Sequence, residues 1–226
     1  MKKLVVLSGA GISKESGLST FRDGDGLWEN YSAEDVASID GWYRNKKLVL
    51  DFYNERRRQI ERTKPNAAHN ILAGLEKEMD VTVITQNIDN LHERAGSSKV
   101  IHLHGLITQA RGENHDRKIY DIGYKDIFLG DTSPDGDQLR PHIVWFGEAV
   151  PMIDPSIRII ENADNLLVVG TSLNVYPAAG LIQYITPGRP IYLVDPNPMH
   201  LGYKPYTQIK EVATKGVATF AEMITK

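Results

Sequence analysis

The sequence contains no cysteine among its 226 residues. Disulfide bonds and thiolate metal sites are therefore excluded. No segment approaches the roughly 20 apolar residues that cross a membrane. The start, MKKLVVLSGAG, lacks both the apolar region and the cleavage site of a signal peptide. These absences lead us to expect a cytoplasmic protein with no membrane partner.

A strong charge of either sign is also missing, because 26 basic and 29 acidic residues give a net charge of -3. This balance gives no reason to expect nucleic acid as a partner. The hydrophobic content of 41% and the charged content of 24% are those of an ordinary globular protein. The length suffices for one large core, or for one domain with a smaller satellite.

Strand-like apolar runs alternate with helical patterns along the chain. The runs cover 4–7, 81–85, 100–105, 165–170 and 191–195, and the helical patterns cover 32–60, 65–79, 176–185 and 220–224. Ser32 begins the first helix through the capping box SAED, and Pro65 stands in the first turn of the second. This alternation predicts an α/β fold with a parallel sheet and helices on both faces.

Two inserts, 29–80 and 106–139, interrupt the alternation and predict a smaller lobe. We therefore expect one domain over 1–226, with a large lobe of about 1–28, 81–105 and 140–226. Polar or glycine residues follow nearly every predicted strand, at 9–11, 86–89, 104–105, 170–172 and 195–197. Because parallel sheets bind ligands at the carboxyl ends of their strands, we expect one site at this edge.

Glycine turns follow two of these strands. Gly9 and Gly11 would let the backbone approach a pyrophosphate without a Cβ in the way. A tight structural turn explains them equally well, because Lys14 occupies the place of the third glycine in the dinucleotide fingerprint. The turn at 170–172 offers N–H groups and hydroxyls either to a ribose or phosphate or to a helix cap. The long polar segment 16–28 indicates a loop that folds over a bound ligand.

The segment Gln86-Asn87-Ile88-Asp89 offers the mixed donors and acceptors that a ribose and a carboxamide need. It is also suited to cap the next helix. His102 and His104 share one strand face if their strand continues to Gly105. His104, at the strand end, is a candidate general base at neutral pH. A structural role explains it as well, and no HExxH-like spacing supports the third interpretation, a metal pair.

In this order, GAGIS, SGLSTFR, TQNID, HLHG, RPHIVWFGE and GTSLNVYP closely resemble the motif series of the sirtuins, the NAD-dependent protein deacylases. The match runs from Gly9 to about Asn197. The resemblance implies a Rossmann-like, NAD-binding large lobe and a smaller lobe. It also implies an acyl-lysine protein or peptide in the cleft between them, with nicotinamide and O-acyl-ADP-ribose as products.

The resemblance also assigns roles to residues. The catalytic residues would be Asn87 and His104, the base that takes a proton from a ribose hydroxyl. The NAD site would comprise Gly9, Ala10, Gly11, Ser13, Phe21, Arg22, Trp28, Gln86, Asn87, Ile88, Asp89, Gly170, Thr171, Ser172, Asp195, Pro196, Asn197 and Val217. The substrate would pair as an added strand with a segment that includes Ile143, Val144, Phe146, Gly147 and Glu148.

The chain differs from the usual sirtuin pattern in its metal ligands. Sirtuins usually hold a structural zinc with four cysteines in the smaller lobe, and this chain has no cysteine. We therefore expect no metal site and a smaller lobe that is held together by packing.

A second feature concerns the acyl group. Tyr53 and Arg56 lie three residues apart, on one face of a predicted helix. They resemble the pair that reaches into the acyl pocket of sirtuins that prefer acidic acyl groups. A phenol and a guanidinium fork suit a terminal carboxylate. Alternatively, Arg56-Arg57-Arg58 is part of a solvated basic face.

The sequence therefore favours an NAD-dependent lysine deacylase that removes succinyl, malonyl or glutaryl groups. A plain deacetylase and an ADP-ribosyltransferase in the same cleft are the enzymatic alternatives. A non-catalytic module that senses NAD is disfavoured by the presence of His104, Asn87 and Asp89. A Rossmann oxidoreductase is disfavoured because no acidic ribose ligand follows about 20 residues after the glycines. The sequence gives no prediction of the oligomeric state.

Overall fold

The computed structural model describes residues 1–19, 30–114, 118–197 and 204–225. The large sheet in these ranges is built from β1 (Lys3–Ser8), β2 (Asp80–Thr85), β3 (Val100–His102), β7 (Asn165–Val169), β8 (Ile191–Val194) and β9 (Thr207–Ile209). Their order across the sheet is β3-β2-β1-β7-β8-β9, and every pair is parallel. This is the strand order of a Rossmann fold. The predicted parallel sheet is therefore confirmed.

Helices cover both faces of this sheet. Helices α5 (Ala67–Gly74) and α8 (Ala213–Ile224) pack on one face, and α7 (Ile153–Glu161) and a 3-10 helix (Ala178–Tyr184) pack on the other. Because both faces are buried, residues 4–7 of β1 are all apolar rather than alternating with polar residues.

A second sheet of three antiparallel strands forms the smaller lobe. Its strands are β4 (Gly105–Gly112), β5 (Ile119–Asp121) and β6 (Leu139–Ile143), with β4 in the middle. Helices α2 (Ala33–Val36), α3 (Ile39–Arg44) and α4 (Lys46–Arg62) share a core with it. The sequence-based division assigned residues from 140 onward to the large lobe, whereas β6 pairs with β4 in the second sheet.

Polar side chains tie α4 to the rest of this lobe. Arg57 is completely buried and donates from Nε to the carbonyl oxygen of Ile107, 3.0 Å away. Asn54 bonds both the N–H and the carbonyl of Ile127, at 2.9 and 2.8 Å. Buried backbone groups of the neighbouring segments therefore find partners on the helix.

The predicted helix 32–60 is three helices. Ser32 caps the first as expected, but Ser38 and Asn45 also act as caps, because their side chains accept the N–H groups of Gly41 and Leu48. Pro65 does not stand in the first turn of the following helix, as predicted, but precedes its N-cap, Asn66.

The remaining elements are short. They are α1 (Gly11–Lys14), α6 (Leu91–Ala95) and a 3-10 turn (Leu75–Lys77). The predicted helix 176–185 is the 3-10 helix above, and the closing helix begins earlier than expected, at Ala213. In the part of the chain described, no helix is long and apolar enough to cross a membrane.

Candidate active site

The chain crosses from the large sheet to the small one at His104. β3 ends at His102 and β4 begins at Gly105, so the strand predicted to continue to Gly105 stops short. Gly105 has a φ of 80°. A Cβ at this position would lie 2.0 Å from the carbonyl oxygen of His142. Only glycine permits this crossover.

The surroundings of His104 fix its tautomer. Its Nδ1 lies 2.9 Å from the carbonyl oxygen of Gln86. Because a carbonyl can only accept, Nδ1 carries the proton and the neutral ring has its lone pair on Nε2. Burial lowers the pKa of His104 below its ordinary value of 6.5, against the raising effect of the Gln86 bond. The ring is therefore neutral at pH 7 and able to accept a proton.

His102 has both ring nitrogens engaged. Nδ1 lies 2.8 Å from the carbonyl oxygen of Asn87, and Nε2 lies 2.6 Å from the carboxylate of Glu93. Burial lowers the pKa of His102, but the hydrogen bond and charge of Glu93 outweigh it, and the pKa is raised. His102 therefore positions the backbone of Asn87, and the two histidines do not form a metal pair.

A cavity of about 280 Å³ opens at this edge, between the two sheets. Predicted site residues from both lobes line it: Ala10, Ser13, Tyr53, Arg56, Gln86, Asn87, Ile88, Asp89, His104, Ile143, Val144, Phe146, Gly147 and Glu148. Other lining residues carry no individual prediction: Leu18, Ser19, Phe52, Trp145 and Tyr176. Four of them belong to quoted motifs, SGLSTFR, RPHIVWFGE and GTSLNVYP, and only Phe52 lies outside these motifs.

Three polar side chains form a network on the floor of the cavity. Ser13 donates from Oγ to Asp89 Oδ2, at 3.0 Å, and accepts from Asn87 Nδ2, at 3.1 Å. Asp89 Oδ1 also accepts the N–H of Leu91, the first residue of α6. Asp89 therefore supports the helix start, as one interpretation of this motif expects, and it also lines the cavity. Its contact with a ribose or a carboxamide stays a prediction.

The two glycine turns interlock. The N–H of Gly11 donates to the carbonyl of Gly170, at 2.8 Å. A Cβ on Gly11 would lie 2.8 Å from Gly170 Cα, and a Cβ on Gly9 would lie 2.7 Å from Thr171 Cβ. The immediate reason for these glycines is therefore the contact between two strand ends, whereas the sequence analysis considered the approach of a pyrophosphate.

The turn at Gly170 also reaches the neighbouring motif. Thr171 Oγ1 accepts from Gln86 Nε2, at 2.9 Å, and from the N–H of Leu173, at 3.2 Å. Leu173 has a φ of 52°, a strained value for a non-glycine residue. The carboxyl ends of β1, β2 and β7 are thus joined by side-chain and backbone hydrogen bonds.

Several predicted NAD contacts do not line the cavity. Gly9, Gly11, Gly170, Thr171, Ser172, Asp195, Pro196 and Asn197 lie at the carboxyl ends of β1, β7 and β8, on the same edge of the sheet. Val217 is completely buried in the core between α8 and the sheet, so it presents no surface to a ligand. Phe21, Arg22 and Trp28 lie outside the described residues.

The segment predicted to pair with the substrate already has partners. The N–H of Val144 donates to the carbonyl of His104, and the N–H of Phe146 donates to that of Ala37, both at 2.9 Å. The carbonyl of Phe146 accepts from Ile39. These groups are not free to bond an added strand. The side chain of Phe146 is 53% exposed beside the cavity mouth.

The side chain of Glu148, which was predicted to contact the substrate, bonds groups of the protein itself. Its carboxylate accepts from Arg140, Arg111 and the N–H of Trp145. Burial raises the pKa of Glu148, but the bonds to Arg140 and Trp145 outweigh it and the pKa is lowered. Arg140 also stacks on Trp145, with 3.4 Å from Cζ to the ring centroid. The Glu148 carboxylate therefore fixes the loop 145–148 from within.

The three consecutive arginines of α4 have different surroundings, so they do not form one solvated face. Arg57 is fully buried, Arg58 pairs with Asp126 at the surface, and Arg56 lines the cavity. Arg56 donates from Nη1 to Gln59 Oε1, at 2.7 Å, and from Nη2 to the carbonyl of Ser19, at 3.1 Å.

Tyr53 lies one turn before Arg56 and is 3% exposed. Its oxygen accepts from Trp145 Nε1, at 2.9 Å. Burial raises the pKa of Tyr53, against the lowering effect of the Trp145 bond, so the phenol keeps its proton. That proton remains available to a hydrogen-bond acceptor in the cavity.

No metal site is formed by the residues in the described ranges, because no group of three or more His, Asp or Glu side chains could hold an ion. The four-cysteine zinc site usual in sirtuins does not fit this chain, which has no cysteine.

Comparisons with known proteins agree on one family. A model of the Sir2 family matches residues 9–177. An "NAD-dependent protein deacylase" from Bacteroides thetaiotaomicron is 53% identical over 204 residues, which cover 88% of this chain and 87% of that protein. One from Helicobacter pylori is 54% identical over 196 residues, covering 87% of this chain and 85% of that protein.

Solved structures give the same result. A Sir2 homologue in complex with NAD has a TM-score of 0.89 and 35% identity, covering 99% of this chain and 90% of that chain. A mutant Sir2 homologue in complex with ADP-ribose has a TM-score of 0.90 and 34% identity, covering 99% of this chain and 92% of that chain.

Proposed function

Because this chain belongs to the Sir2 family, we propose that it removes acyl groups that end in a carboxylate, such as succinyl, malonyl and glutaryl, from lysine side chains of proteins. The resemblance to the sirtuins is confirmed, and the chain is an NAD-dependent protein deacylase. The observation that carries the more specific proposal is the guanidinium of Arg56, which lines the cavity and bonds only neutral acceptors among the described residues.

Arg56 supplies a positive charge that is not neutralised by a close carboxylate in the described part of the chain. Burial lowers its pKa, against the raising effect of the Asp89 charge, yet an arginine stays protonated under any physiological condition. Its other N–H groups remain available for a carboxylate, which accepts guanidinium bonds in a fork geometry. A terminal carboxylate on the acyl chain would bond this guanidinium directly, whereas an acetyl group offers it no negatively charged partner.

Tyr53 adds a neutral donor to the same wall. Because its oxygen is already an acceptor for Trp145, the orientation of its own proton toward the cavity is favoured. The surrounding side chains of Phe52, Ile60 and Trp145 are apolar and buried. Charge-assisted hydrogen bonds are stronger in such a setting than in water.

The NAD requirement is consistent with the residues at the carboxyl edge. Gln86, Asn87 and Asp89 offer amide and carboxylate groups to a ribose and a carboxamide. The glycines of the two interlocked turns add no side chains beside them. We assign the nicotinamide half to Ser13, Asn87 and Asp89. When bound, NAD supplies the electrophilic ribose carbon that accepts the acyl oxygen and releases nicotinamide.

His104 is the base in this proposal. Its Nε2 carries a lone pair at the wall of the cavity, held in place by the bond from Nδ1 to Gln86. It takes a proton from a ribose hydroxyl onto Nε2, and the resulting imidazolium keeps the hydrogen bond from Nδ1–H to Gln86. We place the lysine-bearing segment beside Phe146 and Tyr176, two exposed aromatic residues that line the cavity.

The acyl preference is tested with two peptides that differ only in an acetyl or a succinyl group on one lysine. We expect Arg56→Met to lower kcat/KM for the succinyl peptide by about 10- to 100-fold, the value of a charge-assisted bond, with the acetyl peptide within about 2-fold. Tyr53→Phe is expected to act in the same direction and more weakly.

The matched control is Arg58→Met, which removes the neighbouring surface arginine of the same helix and is expected to change neither rate. Equal turnover of both peptides by the wild type, with no effect of Arg56→Met on their ratio, would refute the acidic-acyl proposal. Product analysis for nicotinamide and O-acyl-ADP-ribose separates that failure from a loss of deacylase activity.

A further inference from the structure

Gln59 lies three residues after Arg56 on α4 and outside the cavity lining. Its Oε1 is 2.7 Å from Arg56 Nη1. Because an arginine has only donors, the amide must present its oxygen to the guanidinium. One of the two anchors of Arg56 is therefore a neutral side chain, and the other is the carbonyl of Ser19.

The chemistry of this anchor determines what charge Arg56 presents to the cavity. A carboxylate in the place of the amide would form an ion pair with the guanidinium at the same distance. Such an ion pair would have no net charge, and the carboxylate would bond some of the guanidinium N–H groups that a ligand could otherwise use. An amide orients the guanidinium equally well and leaves its full charge for a ligand.

We propose that Gln59 is a positioning residue that determines acyl specificity, because it holds the Arg56 guanidinium toward the cavity without neutralising it. The inference rests on the proposed acidic-acyl function. The substrate class that Gln59 selects is an acyl-lysine whose chain ends in a carboxylate. Two anchors from different segments, Gln59 on α4 and Ser19 in the segment that follows α1, fix the fork in one orientation.

The decisive variant is Gln59→Glu, which has the same shape and adds one negative charge. We expect kcat/KM for a succinyl-lysine peptide to fall by roughly 10- to 100-fold, mainly through a higher KM. The acetyl peptide of the same sequence should be turned over within about 2-fold of the wild-type rate. Gln59→Leu keeps the free charge but loses the anchor, so we expect a smaller fall of roughly 3- to 10-fold.

The matched control is Gln183→Glu, the same change at an exposed position outside the cavity lining, which should alter neither rate. Arg56→Met is measured alongside. If Arg56→Met abolishes the succinyl preference and Gln59→Glu leaves it intact, the role of Gln59 is wrong and the proposed function stands. If Gln59→Glu lowers both rates equally, its role is merely structural. A wild-type enzyme without succinyl preference overturns both proposals.

Discussion

The protonation state of His104, the proposed general base, is set by one hydrogen bond and by burial. The carbonyl of Gln86 accepts a hydrogen bond from its Nδ1–H, and burial lowers the pKa of His104 below 6.5. The histidine is therefore deprotonated on Nε2 throughout the neutral range. His102, two residues earlier, is held by Asn87 and Glu93 and has a raised pKa instead. The choice of His104 over His102 as the proposed base thus depends on contacts that the sequence HLHG does not contain.

The acid limb of the pH profile tests this assignment. Activity requires neutral His104, so kcat/KM should fall as pH drops through the lowered pKa, with the half-maximal point below 6.5. The measurement is kcat/KM for one acyl peptide between pH 5 and pH 8, with the approximate ordinary histidine pKa as reference. A half-maximal point above 6.5 would contradict the burial of the neutral ring.

Substitution gives the second test at this residue. His104→Asn keeps a donor for Gln86 but removes the base, so we expect kcat/KM to fall by about 10²- to 10⁴-fold. Binding of NAD, followed by calorimetry, and the midpoint of thermal unfolding should stay near the wild-type values. Retained turnover in this variant would show that another group takes the proton.

The turns at the strand ends act as one unit at the scale of elements. Gly170 has a φ of 63°, and a Cβ there would lie 2.2 Å from the backbone nitrogen of Ile12. Gly188 has a φ of 85° with nothing within 4 Å of its Cβ position. Both positions therefore need a left-handed backbone, and only Gly170 also lacks the space for a methyl group.

Alanine at these positions separates the two requirements. Gly188→Ala is expected to cost about 1–2 kcal/mol in the free energy of unfolding, from the left-handed backbone alone. Gly170→Ala is expected to cost about 3 kcal/mol or more, because the methyl group also collides with the opposite turn. Urea unfolding of both variants measures the difference. Equal losses would mean that the interlocked turns contribute no packing constraint.

The smaller lobe is held together by its own core. Arg140 stacks on Trp145, whose ring packs against that of Trp42, with 5.4 Å between the centroids. Arg57 and Asn54 bond the segments packed on α4. Removal of metal ions should therefore leave the protein unchanged. We expect a thermal unfolding midpoint within about 1 °C of the untreated value after exhaustive dialysis against EDTA, since loss of 1 kcal/mol would shift it by roughly 2–4 °C. A fall of several degrees would indicate a structural metal.

The parallel sheet was predictable because each strand of its centre is an uninterrupted apolar run followed by polar or glycine residues. Strands β4 and β5 were not predicted, because their pairing with β6 depends on partners distant in sequence. The breaks within 32–60 depend on Ser38 and Asn45, whose caps compete with an otherwise helical pattern. At the site, the motifs indicated the carboxyl edge of the sheet. They did not indicate that the Glu148 carboxylate bonds Arg140 and Arg111, or that Val217 is buried in the core.

Histidines make the stability of the whole molecule depend on pH. The pKa values of His69, His92 and His104 are lowered by burial, and that of His142 is lowered to about 4. Below pH 6.5 the unfolded chain binds protons that these buried rings resist, so stability is lost as the pH falls. His102 has a raised pKa and therefore gains stability as the pH falls, but it is a single histidine, whereas four histidines have lowered pKa values.

Between pH 6.5 and pH 5.5 the free energy of unfolding should therefore decrease, with a slope of at least about 1.4 kcal/mol per pH unit, the value for one net proton. The carboxylates with lowered pKa values, including Glu148, act mainly at lower pH. Urea denaturation at a series of pH values measures the slope. A constant or rising stability toward pH 5.5 would mean that the buried histidines are protonated in the folded state.

The central claim is that this NAD-dependent deacylase selects acyl chains that end in a carboxylate, through Arg56 in the cavity. The most direct measurement is a competition in one tube, with NAD and equal concentrations of the acetyl and succinyl forms of one lysine peptide. The ratio of the two O-acyl-ADP-ribose products, read by mass spectrometry at early times, equals the ratio of the two kcat/KM values. We predict at least about 10-fold more O-succinyl- than O-acetyl-ADP-ribose. Equal amounts, or an excess of the acetyl product, would contradict the account.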